Sequence, residues 1–140
     1  MKKIILVDNH SIFREGMKLW IENVGLGKII AEATNGYELI DLLRKLRPDL
    51  VIMDFDLPFM NGVDATKMAL RIQPEIKILG ISQQNDLDQY IEMILAGATG
   101  FMLKTSGNDE FTKAIKSVAK GECYFSEDLV ELKETDLIIY

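Results

Sequence analysis

Leu50-Val51-Ile52-Met53-Asp54 is a run of four apolar residues closing on an acid, followed by Phe55-Asp56-Leu57-Pro58. Four apolar residues in a row are too few for a helix and do not alternate, which is how a strand buried on both faces reads. The same form recurs at Ile4-Ile5-Leu6-Val7, from Ile76 to Ile81 and from Thr99 to Leu103. A fifth run, Lys28 to Thr34, is interrupted by Glu32 and reads as an edge strand.

Between these runs the apolar spacing turns helical. Ile12, Met17, Trp20 and Ile21 predict one face of a first helix, and Leu39, Leu42, Leu43 and Leu46 a second, ended by Pro48. Further helices are expected from about Val63 to Ile72, Leu87 to Leu95 and Phe111 to Ala119. Strand and helix alternate five times, which predicts an open five-stranded parallel sheet covered on both faces, α/β in class. The stretch from Gly121 to Tyr140 breaks the alternation. It is acidic, offers at most a short amphipathic turn around Leu129, Val130 and Leu132, and reads as a linker or extension with no further strand.

A chain of 140 residues, 48% hydrophobic and 27% charged, is one domain with enough apolar material for a full core. Cys123 is its single cysteine, so no internal disulfide is available and a reducing, cytoplasmic setting is expected. Met1-Lys2-Lys3 leads into only four apolar residues before Asp8, too few for a signal peptide, and no run reaches membrane-spanning length. The formal net charge of -6 argues against direct nucleic-acid contact, because such affinity rests on neutralising phosphates. A protein partner or a small cation fits better.

Polar residues end four of the five strands: Asp8, Asp54, Ser82 and Lys104. Open parallel sheets bind ligands outside the carboxyl ends of their strands, where strand order reverses. With order 2-1-3-4-5 that point lies between the first and third strands, so Asp8 and Asp54 face each other, with Ser82 and Lys104 opposite. Two close carboxylates repel, and a hard dication such as Mg²⁺ resolves the repulsion. A carboxylate can attack phosphorus to form an acyl phosphate, a transfer that needs positioning and charge neutralisation. Lys104 would pair with one phosphoryl oxygen and the Ser82 hydroxyl with another. Each residue also has a plainer reading on its own. An Asp after a strand commonly caps the next helix. Phe101 fills an edge, His10 opens the first helix exposed and without a chemical role, and the methionines fill the core.

Ile5-Leu6-Val7-Asp8-Asn9-His10, Met53-Asp54-Phe55-Asp56-Leu57-Pro58 with Met60-Asn61-Gly62, Ser82, and Gly97-Ala98-Thr99-Gly100-Phe101-Met102-Leu103-Lys104 together resemble the response-regulator receiver domain of two-component systems, over residues 2 to about 120. Phe13-Arg14-Glu15-Gly16 resembles the subfamily with a LuxR/NarL-type helix-turn-helix output domain, and Gly121 with Tyr124-Phe125-Ser126 resembles the start of its linker. The resemblance implies a flavodoxin-like doubly wound (βα)5 fold, a receiver over 1–120 and a linker over 121–140 leading to an output domain. It implies that Asp54 accepts a phosphoryl group from a sensor histidine kinase, with transcription regulation as the outcome and homodimerisation on phosphorylation as an option. Asp54, Asp8 and the main-chain carbonyl of Asp56 would hold Mg²⁺. Lys104 would bind the phosphoryl group, and Ser82 and Phe101 would form the switch pair, the phenyl ring filling space that Ser82 vacates. The chain would be a signalling domain and not an enzyme.

Two positions depart from the pattern. Asn9 stands where the family has a second acid and metal ligand, so the site loses a charge that Asp56 could restore from the other side. Thr105 follows the lysine where many receivers have proline. Three rivals stay open. Asp54-Phe55-Asp56 also resembles the Asp-x-Asp of haloacid-dehalogenase-type phosphatases, although two strands and two helices precede it. A pseudo-receiver would be supported by Asn9 alone. A flavin-binding fold would need Ser, Thr and Gly where Asn9-His10-Ser11-Ile12-Phe13 stands.

Overall fold

Alternate residues of each strand point to opposite faces of the sheet, so a continuous apolar run feeds two cores at once. Val51 and Met53 face one core and Leu50 and Ile52 the other, all at most 1% exposed. The computed structural model describes residues 1–126. It runs β1 (Lys3–Val7), α1 (Ser11–Asn23), β2 (Lys28–Ala33), α2 (Gly36–Leu43), β3 (Leu50–Asp54), α3 (Gly62–Ile72), β4 (Lys77–Ser82), α4 (Leu87–Ala96), β5 (Gly100–Leu103), α5 (Asn108–Ala119) and β6 (Tyr124–Phe125). Helices α2, α3 and α4 cover the face carrying Ile5, Val7, Val51, Met53, Ile78 and Phe101; α1 and α5 cover Ile4, Leu6, Ile52, Leu79 and Ile81.

All pairings are parallel, and β2 lies at one edge, as Glu32 in its sequence predicts. Strand β1 pairs with both β2 and β3, which puts the reversal of order between β1 and β3. Among the described residues the sheet has six strands in the order β2-β1-β3-β4-β5-β6, and this corrects the expected five. The added strand is Tyr124–Phe125, inside the stretch read as linker, where two residues are too few to show a strand pattern. Tyr124 pairs with Gly100 and Phe125 with Phe101, and Phe125 packs edge-on against Tyr90 of α4 at 5.2 Å. The turn expected around Leu129, Val130 and Leu132 lies outside the described residues.

Two helix readings also change. Ile12 is 87% exposed, because the buried stripe of α1 runs through Phe13, Met17, Trp20 and Ile21, at helical spacing that Ile12 breaks. Helix α2 stops at Leu43, before Pro48. Gln73, 2% exposed, holds the helix end and the turn after it: its side-chain amide donates to Leu43 O and Leu46 O at 2.7 Å each. Leu43 O is one of the acceptors that a helix end leaves without partners. Among the described residues no helix is long and apolar enough to cross a membrane.

Candidate phosphoryl-transfer site

The site forms where β1, β3, β4 and β5 end together, because parallel pairing keeps their registers aligned. Asp8 follows β1, and its N–H donates to Ala33 O of β2. Asp54 closes β3, Ser82 closes β4, and Lys104 follows β5 with its N–H on Ser82 O at 2.7 Å. Asp8, Asp54 and Ser82 are 2%, 1% and 0% exposed. The β3–α3 loop turns back tightly against the acid. A Cβ on Gly62 would stand 2.6 Å from Asp54 O, so only glycine lets α3 begin there. Asn61 then caps α3 by accepting from Asp64 N.

Lys104 Nζ lies 2.8 Å from Asp8 Oδ2 and 3.1 Å from Asp54 Oδ2, and sits 4.6 Å above the Phe13 ring. The N–H of Asp56 donates to Asp54 Oδ1 at 3.2 Å, and the N–H of His10 to Asp8 Oδ1 at 2.7 Å. Burial first, and the Asp8 charge second, raise the Asp54 carboxyl to about 6, against the lowering pull of Lys104. One ammonium facing two carboxylates therefore leaves the pocket short of positive charge.

That shortage fits a dication. Asp8 Oδ2 is buried, and the Lys104 ammonium at 2.8 Å is shared with Asp54, which leaves room for a second cation on this oxygen. Carboxylates of Asp8 and Asp54 and Nδ1 of His10 offer ligand atoms all within 4.8 Å of one another. The oxygens suit a hard cation such as Mg²⁺ better than the imidazole does.

Asp8, Asp54 and Lys104 thus meet as the sequence predicts. Ser82 reaches the same rim with its hydroxyl turned to α4, donating to Gln89 Oε1 at 2.7 Å and accepting from Gln84 N at 3.1 Å. Asn9 and Asp56 are exposed beside the buried acids. Phe101 lies two pairs back from the rim, fully buried opposite Gly80 and 6.1 Å edge-on from Tyr90. His10 does open α1 and is exposed, as expected, and its Nδ1 stands 3.3 Å from Asp8 Oδ1 and 3.2 Å from Lys104 Nζ, next to a site in which it was given no chemical role. Its place two residues after Asp8 was the available signal. Gln89 gave none, since a glutamine early in a helix is unremarkable.

The chain is 32% identical over 122 residues to the transcriptional regulatory protein DegU of Brevibacillus brevis, covering 87% of this chain and 52% of that protein. It is 31% identical to the response regulator GacA of Pseudomonas aeruginosa, covering 94% of this chain and 61% of that one. It thus spans about half to three fifths of these curated relatives. The chemotaxis protein CheY of Thermotoga maritima is 35% identical over 85% of this chain and 98% of its own length. Among solved structures, a two-component response regulator of the LuxR family from Aurantimonas sp. SI85-9A1 superposes with a TM-score of 0.94, at 30% identity and 99% coverage of both chains. The sequence pattern of the response regulator receiver domain matches residues 4–116, and the chain belongs to that family.

Proposed function

We propose that Asp54 is the phosphoacceptor, and the observation that carries this is the Lys104 ammonium held between the buried carboxylates of Asp8 and Asp54. In the reaction, an Asp54 oxygen attacks the phosphorus of a phosphohistidine on a sensor kinase. The P–O bond forms, the P–N bond breaks, and the imidazole nitrogen leaves with the bonding pair and takes a proton. The phosphoryl oxygens bring nearly two negative charges to this rim. Lys104 pairs with one of them, and burial keeps competing water away from the acyl phosphate. Asp8, Asp54 and the Asp56 main-chain carbonyl would hold Mg²⁺, with Asn9 beside them. That cation supplies the charge neutralisation which in-line phosphoryl transfer requires.

The Ser82 hydroxyl then turns to a phosphoryl oxygen, and the α4–β5–α5 surface changes with it. The receiver controls transcription through an output domain and works in the cytoplasm. The domain is modified and does not turn over a substrate of its own. Intact mass after incubation with acetyl phosphate and Mg²⁺ tests the reading. One hydroxylamine-labile phosphoryl group is expected on the wild type and none on Asp54→Ala. An adduct that persists in Asp54→Ala assigns the chemistry elsewhere.

A further inference from the structure

We propose that Gln89 is a latch, a positioning residue that holds the Ser82 hydroxyl away from Asp54 and so sets how readily the domain adopts its phosphorylated arrangement. This rests on the reading of Ser82 as the group that turns toward the phosphoryl. Ser82 is fully buried, and its hydroxyl proton is committed to Gln89 Oε1 at 2.7 Å. A hydroxyl has one proton, so it cannot donate to Gln89 and to a phosphoryl oxygen together. The two acceptors compete, and the resting state is the one in which Gln89 holds the proton.

The local geometry explains why this side chain is free for the task. Gln89 is the third residue of α4, behind the N-cap Asp86, whose Oδ1 accepts from Asp88 N and Gln89 N. A glutamine at that position commonly reaches back to the N–H of the capping residue. Here the Asp86 N–H is already bonded to Gln84 O at 3.0 Å, which leaves the Gln89 oxygen for the strand end. The hydroxyl also accepts from Gln84 N at 3.1 Å. One Ser82 rotamer therefore fastens both the first turn of α4 and the β4–α4 loop. Turning it inward releases both, which links the phosphorylation site to α4 through two named bonds.

Replacing Gln89 with methionine keeps the length and removes the acceptor. The resting state then loses one hydrogen bond and leaves a buried hydroxyl proton unpartnered, while the phosphorylated state loses nothing. Beryllofluoride affinity in Mg²⁺ should rise roughly two- to tenfold in Gln89→Met, the worth of one such bond. Gln89→Glu, which retains an acceptor oxygen, should not tighten binding. In the Ser82→Ala background the Gln89→Met change should have no effect. Without metal or mimic, amide exchange at Gln84 should quicken in Gln89→Met and stay slow in Gln89→Glu. Wild-type affinity in Gln89→Met, or a gain that persists in Ser82→Ala, overturns the latch while Asp54 and Ser82 keep their roles. Failure of the wild type to bind beryllofluoride would instead remove the phosphoacceptor reading and the latch with it. Thermal melts establish that each variant is folded before these comparisons.

Discussion

Lys104 Nζ and Asp8 Oδ2 stand 2.8 Å apart, with the lysine side chain 4% exposed and the aspartate 3%. The same ammonium reaches Asp54 at 3.1 Å, so a single cation faces two buried acids. Removing it leaves both carboxylates unpaired in a desolvated site. Lys104→Met should cost about 3 kcal/mol at neutral pH in metal-free buffer. Added Mg²⁺ should recover part of that loss. Urea denaturation with and without the cation measures both, and unchanged stability would show that the ammonium does not offset the acids.

Asp54 makes stability depend on pH with a definite sign. Its carboxyl is raised from 3.8 to about 6 in the folded chain, chiefly by burial and then by the Asp8 charge. Below the unfolded value both states hold the proton and this group costs nothing. As pH rises toward the folded value the unfolded chain releases its proton first, so stability falls, and the penalty is complete above that value. Asp54→Asn removes the penalty and should stabilise the metal-free protein at pH 7 by roughly 3 kcal/mol, with little effect below pH 4. Denaturation midpoints across that range check it. A variant less stable than wild type at pH 7 would show that Lys104 outweighs burial.

Asn9 sits exposed beside Asp8, in the position that the resemblance gives to a second acid. Asn9→Asp returns an ionic oxygen ligand and should tighten Mg²⁺ binding about tenfold. Calorimetric titration decides it, and equal or weaker affinity would mean that Asn9 is not a ligand.

The four strand-end residues were legible because parallel strands must bring their carboxyl ends to one rim, and a polar group closing an apolar run is visible in the chain. What stayed hidden depends on contacts between segments distant in sequence. Gln73 shows this, since nothing around it says that its amide will end α2, thirty residues earlier, at Leu43. Strand β6 is held by pairing with β5 and by Phe125 against Tyr90, and two residues carry no period. Gln73→Leu should lose about 1–3 kcal/mol, because the buried Leu43 carbonyl and the part-buried Leu46 carbonyl are left without this donor. Equilibrium denaturation tests this, and a loss below 0.5 kcal/mol, about the floor for one net hydrogen bond, would mean that water replaces the amide.

Gly80 and Phe101 pair across β4 and β5, and the ring occupies the space that a side chain at Gly80 would need. A Cβ there would stand 2.7 Å from Phe101 Cδ2 and 2.8 Å from Met93 Cε. Methionine is flexible enough to yield, whereas the ring is wedged against Tyr90 at 6.1 Å. Gly80→Ala should therefore displace Phe101 and cost about 1–3 kcal/mol through overpacking. Phe101→Leu alone should also destabilise, by leaving part of the ring's volume empty. Together the two changes should compensate, so that the double variant is more stable than the sum of the single losses predicts. Strict additivity in urea denaturation would place the clash at Met93 and show that the ring does not depend on the bare glycine.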